Sequence, residues 1–184
     1  MLKNRIDFAE AKLEKYADKV VRKASNMRGF YIDSEALERM IEQEDPIIYE
    51  VYAVPHENEG ELSYAITVLH PGKVGNEYFM TKGHYHSKRD RAELYIALKG
   101  RGLLLMQRDN EVQWVEMEKG DIIYVPPYWA HRSINIGDED FAFLAIYPGD
   151  AGHDYGTIAK KGFAKIVVEE NGKYTVLDNP KWKE

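Results

Sequence analysis

The chain divides into two parts according to the spacing of its apolar positions. Up to about residue 45 these positions recur every three to four residues, as they do in amphipathic helices. They are Ala9, Leu13, Tyr16, Val20 and Ala24, followed after the candidate N-cap Ser34 by Leu37, Met40 and Ile41. Pro46 ends this part because proline interrupts a helix. We therefore expect a helical extension over residues 1–45.

Beyond Pro46 the chain consists of short segments rich in β-branched and aromatic residues, which favour strands. There are ten: PIIYEVYAV, SYAITVLH, AELYIALKG, GLLLMQ, QWVEM, DIIYVPP, HRSINI, FAFLAIYP, AKIVVEE and KYTVL. Asn171-Gly172 between the last two suits a hairpin turn, because both residue types accept positive φ. So many strands without alternating helices favour a sandwich or small barrel. We expect a single all-β domain, with a barrel core and C-terminal hairpin over residues 46–184.

Charge and composition narrow the classes of function. The chain has 25 Lys and Arg against 31 Asp and Glu, so it lacks the positive field that attracts nucleic acids or anionic membranes. We also find no signal peptide and no apolar run of about 18 residues, and expect a cytoplasmic protein. Because the chain has no cysteine, disulfides and thiolate chemistry are excluded, and His, Asp and Glu are the strong metal ligands that remain.

The candidate chemistry centres on His84 and His86 in the segment GHYHS. Residues two apart on a strand project from the same face, so the two imidazoles can share a metal ion. An isolated pair of this kind is more often simply exposed at a sheet edge. Glu93 and His131 favour a metal site over an exposed pair, because both also lie at or beside predicted strands. Three imidazoles and one carboxylate suit a divalent Fe, Ni, Mn or Zn ion with positions open for a substrate.

The spacing of these residues resembles the two sequence boxes of the cupin superfamily. The first reads HxH(x6)E(x6)G over residues 84–100, and the second reads G(x5)P(x4)H(x3)N over residues 120–135. Two features depart from the usual pattern. The spacer SKRDRA before Glu93 is longer than usual, so it must bulge or loop, and Tyr128 replaces a glycine.

A closer resemblance covers most of the chain. The segments YEVYAV, TVLHPGKVGNEYFMTKGHYH, VPPYWAHRSINIGDE and FLAIYPGDAGHDYGTIA resemble the cupin-type phosphoglucose isomerases of archaea, whose own pattern includes both departures. The resemblance implies a double-stranded β-helix, a homodimer and a divalent metal in each subunit. It also implies interconversion of glucose 6-phosphate and fructose 6-phosphate, in glycolysis and gluconeogenesis. A cupin fold alone would not name a reaction.

The resemblance further implies roles for individual residues. The metal ligands would be His84, His86, Glu93 and His131, with Fe²⁺ expected and Ni²⁺, Mn²⁺ or Zn²⁺ as alternatives. His153 would act on the open sugar chain as an acid/base or ring-opening group. The positions that line the substrate pocket in the family correspond to Tyr49, Thr67, Thr81, Gly83, Tyr95, Tyr147 and Tyr155.

Other groups remain outside this assignment. Because the chain has no phosphate-binding glycine motif, hydroxyls and backbone amides are the expected phosphate donors. Lys88, Arg89 and Arg91 of the spacer would attract a sugar phosphate, although a solvated loop is the more common interpretation of such a run. His56 and His70 are not assigned to the site.

The reaction leaves two routes open. Aldose–ketose interconversion moves hydrogens between C1 and C2 through an enediol or by a hydride shift, and both routes build negative charge on the carbonyl oxygen. A metal that holds O1 and O2 would stabilise this charge. The enediol route needs a base, for which Glu93 is the candidate. If Glu93 is only a ligand, the hydride shift is favoured.

Two other classes of function compete with isomerisation. A metal-dependent cupin oxygenase could use the same ligands to activate dioxygen. A non-catalytic sugar-binding cupin would bind sugar without turnover, as in regulators, but the acidic chain shows no helix-turn-helix.

Overall fold

The computed structural model describes residues 3–182, so residues 1–2 and 183–184 of the predicted terminal regions lie outside it. The helices in this part are a short 3-10 turn (Ala24–Met27), α1 (Ser34–Gln43) and α2 (Gly156–Lys161). The strands are β1 (Ile6–Asp7), β2 (Lys12–Leu13), β3 (Asp18–Lys23), β4 (Ile47–Val54), β5 (Leu62–Leu69), β6 (Lys73–Val74), β7 (Glu77–Tyr78), β8 (Glu93–Lys99), β9 (Arg101–Arg108), β10 (Glu111–Glu118), β11 (Ile122–Val125), β12 (Ala130–Asn135), β13 (Phe141–Pro148), β14 (Lys165–Glu170) and β15 (Lys173–Asp178). The prediction of an all-β fold is confirmed. Over residues 3–182, no helix has the length and apolar character needed to span a membrane.

Two antiparallel sheets share the main hydrophobic core. One has six strands in the order β11-β8-β13-β5-β4-β3, and the other has three in the order β10-β9-β12. Tyr95 and Phe143 of the first sheet and Leu103 and Leu105 of the second belong to the same buried cluster. In the described residues the strands pair as separate sheets, so the molecule is a sandwich rather than one continuously hydrogen-bonded barrel.

The C-terminal hairpin has the predicted turn. Strands β14 and β15 pair from Glu170 and Lys173 outward, which leaves a two-residue turn between them. Asn171 and Gly172 both have positive φ, at 53° and 75°, as a type I′ turn requires. A four-stranded sheet in the order β15-β14-β7-β6 results.

The predicted helical extension is wrong for most of its length. Residues 6–23 form a β1–β2 hairpin and the edge strand β3 instead. Ala11 and Leu13 pack with Ile66 and Val68 in a second buried cluster. The apolar residues that recur at helical spacing in the sequence therefore belong to separate strands and turns, not to one helix. Packing against the sheet overrode local propensity.

The helix predicted after Ser34 is confirmed as α1. Its N-cap is Asp33, one residue earlier than expected, and the Asp33 carboxylate accepts the Ala36 N–H at 2.8 Å. Leu37 is buried, and Met40 and Ile41 pack against the main core, so the predicted apolar face is the one that is covered.

Candidate metal centre and substrate cavity

Three segments bring the four predicted metal ligands together. Glu93 begins β8, His131 lies on β12, and His84 and His86 lie on the chain that runs beside β12. The backbones of His84 and His131 exchange hydrogen bonds of 3.2 and 3.0 Å, which fixes their side chains on one face. One ligand atom from each of the four residues lies within 4.8 Å of the others. The four predicted ligands therefore form one group, which we call the ligand cluster.

One oxygen of the Glu93 carboxylate lies close to two of these rings. His86 Nδ1 donates to the carbonyl of Arg91 at 2.8 Å, which leaves Nε2 facing Glu93 Oε2 at 3.2 Å. His131 Nε2 lies 2.8 Å from the same carboxylate oxygen. A carbonyl partner on the far ring nitrogen fixes the tautomer that presents the other nitrogen to a metal.

The ionisation states suit metal binding. Burial lowers the pKa of His84 well below its ordinary value, and the neighbouring His131 adds to this effect. Burial alone would raise the pKa of Glu93, but His131 and the hydrogen bond from His86 outweigh it, so the Glu93 pKa lies well below its ordinary value. The cluster thus combines a carboxylate with a neutral imidazole, and a cation would compensate the buried negative charge.

The cluster also fits a metal by its unpaired atoms. Nε2 of His84 is buried and forms no hydrogen bond, and the buried Nε2 of His131 has only the Glu93 carboxylate oxygen beside it. Buried polar atoms without a partner are costly, and a shared ion would supply that partner. Three imidazole nitrogens and a carboxylate oxygen suit a divalent transition metal.

A cavity of about 100 Å³ opens beside the cluster. It is lined by ligand residues His84, Glu93 and His131 and by His153. All the positions carried over from the family also line it: Tyr49, Thr67, Thr81, Gly83, Tyr95, Tyr147 and Tyr155. The predicted site residues therefore line one cavity, except His86, which belongs to the ligand cluster but does not line the cavity.

His153 lies against the ligand cluster. Its ring centroid is 4.6 Å from that of His84, and the ring stacks on Tyr155 at 5.9 Å. Burial lowers the pKa of His153, so its imidazole is neutral near pH 7. A neutral imidazole at this position can accept or relay a proton.

The tyrosines around the cavity stay protonated. Burial, with Glu93 adding to it, raises the pKa of Tyr147 to about 12, and burial with Tyr49 raises that of Tyr155 to about 12. Tyr95 stacks on Phe143 at 4.6 Å, which holds its ring at the cavity wall. These hydroxyls are therefore fixed donors for a polar ligand.

Some lining residues escaped the sequence analysis. They are Val51, Ala65, Lys82, Phe143 and Ala145. Apart from Lys82, each of them lies two or four positions from a predicted lining residue on the same strand. Because side chains at such spacings share a face of the strand, strand periodicity would have predicted them. Nothing in the local pattern marks Lys82.

The spacer between His86 and Glu93 is a tethered loop. Asp150 pairs with Lys88 at 2.7 Å and with Arg91 at 2.7 Å, and Arg89 pairs with Asp154 at 2.6 Å. Its positive charges are therefore matched by carboxylates, which disfavours a role in attracting phosphate.

The two departures from the cupin pattern meet in this loop. Tyr128 adopts φ 73°, the left-handed conformation that favours the glycine usual at this position. Its backbone N–H donates to the Arg89 carbonyl at 2.6 Å. The turn after β11 and the long spacer thus hold each other in place.

The two unassigned histidines lie apart from the cluster. His70 Nδ1 is 2.8 Å from Asp140 Oδ1, and the backbone N–H of His56 donates to Ser63 Oγ at 2.9 Å. Neither residue lines the cavity of the ligand cluster.

The fold and the ligand cluster define a cupin-type protein. A solved oxalate oxidase structure superposes with a TM-score of 0.51 at 15% identity, covering 60% of this chain and 56% of that one. At this identity the likeness shows the fold alone. The expected cupin fold is confirmed.

Sequence comparison places the chain within one family of such proteins. The glucose-6-phosphate isomerase family model matches residues 21–183, and the chain belongs to this family. Glucose-6-phosphate isomerase of Thermococcus litoralis is 62% identical over 181 residues, covering 97% of this chain and 95% of that protein. The Pyrococcus horikoshii enzyme of the same name is 60% identical over 181 residues, with the same coverage.

Proposed function

We propose that the protein interconverts glucose 6-phosphate and fructose 6-phosphate with the help of a divalent metal held by the ligand cluster. The observation that carries this conclusion is the convergence of three histidines and one glutamate beside a hydroxyl-lined cavity, in a chain of this family. A bound metal would supply Lewis acidity toward the O1 and O2 end of the open-chain sugar.

Glu93 and His153 are the groups available for proton movement. Glu93 is ionised and buried beside the cavity, which suits a base between C1 and C2. His153 is neutral and faces the same space, which suits ring opening or proton relay. A hydride shift would need neither group as base, and the Glu93→Gln variant described below separates the two routes.

The hydroxyl groups orient the sugar. Five residues with hydroxyl groups line the cavity, as does Gly83: they are Thr67, Thr81, Tyr95, Tyr147 and Tyr155. A Cβ at Gly83 would lie 2.7 Å from the Phe163 ring, so only glycine fits there. Fixed donors of this kind position a polyol and exclude bulk water.

The remaining expectations are part of the same proposal. We propose Fe²⁺ as the metal, a cytoplasmic location and a role in glycolysis and gluconeogenesis. We also propose a homodimer. Exposed Ile122 and Tyr124 on the edge strand β11 support self-association, since both project from one face. Light scattering of the purified protein tests the dimer.

A coupled assay tests the function. Protein reconstituted with Fe²⁺ is expected to convert fructose 6-phosphate to glucose 6-phosphate, and a chelator is expected to abolish the conversion. Oxygen uptake without isomerisation would favour a cupin oxygenase. Sugar phosphate binding without turnover would favour a non-catalytic sugar-binding protein.

A further inference from the structure

The loop that carries His153 pairs with the chain segment that carries the first two metal ligands. The backbones of Asp154 and Tyr85 exchange hydrogen bonds of 2.8 and 3.2 Å. Opposite residues of an antiparallel pair project to one side, and their neighbours in sequence project to the other. Tyr85 accordingly lines a different cavity from His84 and His153. The Asp154 side chain is therefore on the outer side of the pairing, away from the ligand cluster.

The Asp154 carboxylate holds this outer side together. It accepts a 2.8 Å hydrogen bond from the Thr157 hydroxyl and a 3.2 Å hydrogen bond from the Thr157 N–H, and it pairs with Arg89 at 2.6 Å. The hydrogen bonds from Thr157 and the positive charge of Arg89 lower the pKa of Asp154, so the carboxylate stays charged near pH 7. It therefore joins the first turn of α2 to the spacer loop.

Arg89 extends this contact to the segment that carries the ligands. Its guanidinium carbon lies 3.8 Å from the ring centroid of Tyr85, which is the residue between the two histidine ligands of that segment. We call Asp154, Arg89 and Tyr85 the clamp. Through the clamp, the loop that contains His153 is attached to the backbone that positions two of the metal ligands.

His153 depends on its backbone for its place in the cavity. Its ring contacts other rings, with centroid distances of 4.6 Å to His84, 5.6 Å to Tyr147 and 5.9 Å to Tyr155. Contacts between rings are compatible with several arrangements, so they do not by themselves fix a position. The ligand cluster is anchored separately, because the backbones of His84 and His131 exchange hydrogen bonds. Loss of the clamp should therefore displace His153 more than the ligands.

We propose that Asp154 is a positioning residue that holds His153 against the ligand cluster and the open-chain sugar. This inference rests on the proposed function and deepens it, since it names what keeps the proton-transfer group in reach of the substrate. Asp154 does not line the cavity, so it acts through the backbone of its neighbour and takes no part in the chemistry itself. A displacement of about 1 Å is enough to slow a reaction that depends on such a group.

A double-mutant cycle with His153 tests this role. Asp154→Ala should lower kcat for fructose 6-phosphate about tenfold, with KM and metal content within about twofold of the wild type. Asp154→Asn keeps an oxygen acceptor for Thr157 and should recover part of the loss. In a His153→Gln background, Asp154→Ala should cost less than about twofold, because residues that act as one unit are not additive. Asp178→Ala, which breaks the ion pair with Lys165 on the C-terminal hairpin, is the matched control.

NMR of the protein loaded with diamagnetic Zn²⁺ gives a readout without turnover. The imidazole signal of His153 in protein with isotope-labelled histidine is assigned by its loss in His153→Gln. This signal should shift or broaden in Asp154→Ala, whereas the signals of His56 and His70 should not change. If Asp154→Ala does not fold, Asp154→Asn serves for both measurements, with smaller changes in the same direction.

Three results would overturn the inference. They are an unmoved His153 signal in the Asp154 variants, a full additional loss of kcat when Asp154→Ala is added to His153→Gln, and loss of metal from Asp154→Ala. The last result would mean that the carboxylate acts on the ligand cluster instead of on His153. An inactive wild type in which Asp154→Ala still moves the His153 signal would overturn only the proposed function.

Discussion

The ligand cluster and the spacer loop, residues 87–92, are neighbours in sequence but opposite in electrostatic design. The cluster has a buried carboxylate and, at His84 Nε2, a buried imidazole nitrogen that no hydrogen bond satisfies. In the loop, Asp150 and Asp154 pair with the three cations. Unsatisfied groups mark the place where a ligand binds, whereas matched charges mark a structural element. A count of charged residues alone would have indicated the loop as the ligand-binding site.

The largest effect is expected where the cluster is broken. His131→Ala should lower metal content and reduce turnover on the order of a thousandfold, because one of four ligands is lost. Metal analysis and the coupled assay measure both. His70→Ala is the control, since His70 pairs with Asp140 outside the cluster. Full metal content in His131→Ala would show that the cluster is not the binding site.

The Glu93→Gln variant distinguishes whether Glu93 acts as the catalytic base or only as a metal ligand. The amide keeps the size of the side chain but cannot take a proton, so we expect turnover to fall about 10²- to 10⁴-fold with a smaller change in KM. Metal content must be measured in parallel. Near-normal turnover with full metal content would exclude Glu93 as the base and favour a hydride shift.

His153 connects the two regions, because it lies between Asp150 and Asp154 in sequence and contacts His84. We expect His153→Gln to lower turnover about a hundredfold while metal content is kept. Since burial lowers its pKa from 6.5, the neutral form is lost only as pH falls through that lowered value. The acid limb of kcat/KM in the wild type should therefore lie below pH 6.5, and should be absent in the variant. An unchanged pH profile in His153→Gln would exclude this role.

Loosening the loop should have a smaller effect. Asp150→Asn removes the partner of Lys88 and Arg91, and the Arg91 carbonyl orients His86. A weaker orientation should lower metal affinity about tenfold, which competition with a chelator measures. Unchanged metal affinity would contradict this link between Asp150 and the orientation of His86.

The same variant should also change acid stability slightly. Hydrogen bonds from Arg91 and Lys88 hold the pKa of Asp150 well below its ordinary value. This stabilisation is present above the unfolded pKa and is lost as pH falls toward the lowered folded pKa. The melting temperature of the wild type should therefore fall more steeply below about pH 4 than that of Asp150→Asn. Parallel curves for the two proteins would contradict this.

Local patterns predicted the features that depend on neighbouring residues. Strand alternation placed Glu93 and Tyr95 on the same cavity wall, and turn chemistry predicted the Asn171-Gly172 hairpin. The family resemblance supplied the lining residues that no local rule links, such as Tyr49 and Thr67.

Features that depend on long-range packing could not be predicted in this way. The β1–β2 hairpin exists because Leu13 covers the outer face of the sheet, and the helical spacing of that region gave no sign of it.

Titration of isomerase activity against bound metal tests the central claim most directly. Metal-free protein is loaded with increasing Fe²⁺, and metal content and fructose 6-phosphate turnover are measured on the same samples. We predict turnover that rises in proportion to metal bound and saturates at one ion per chain in the wild type, with lowered metal binding and turnover reduced on the order of a thousandfold in His131→Ala. Full turnover in metal-free protein, or turnover that does not follow the metal held by the cluster, would contradict the account.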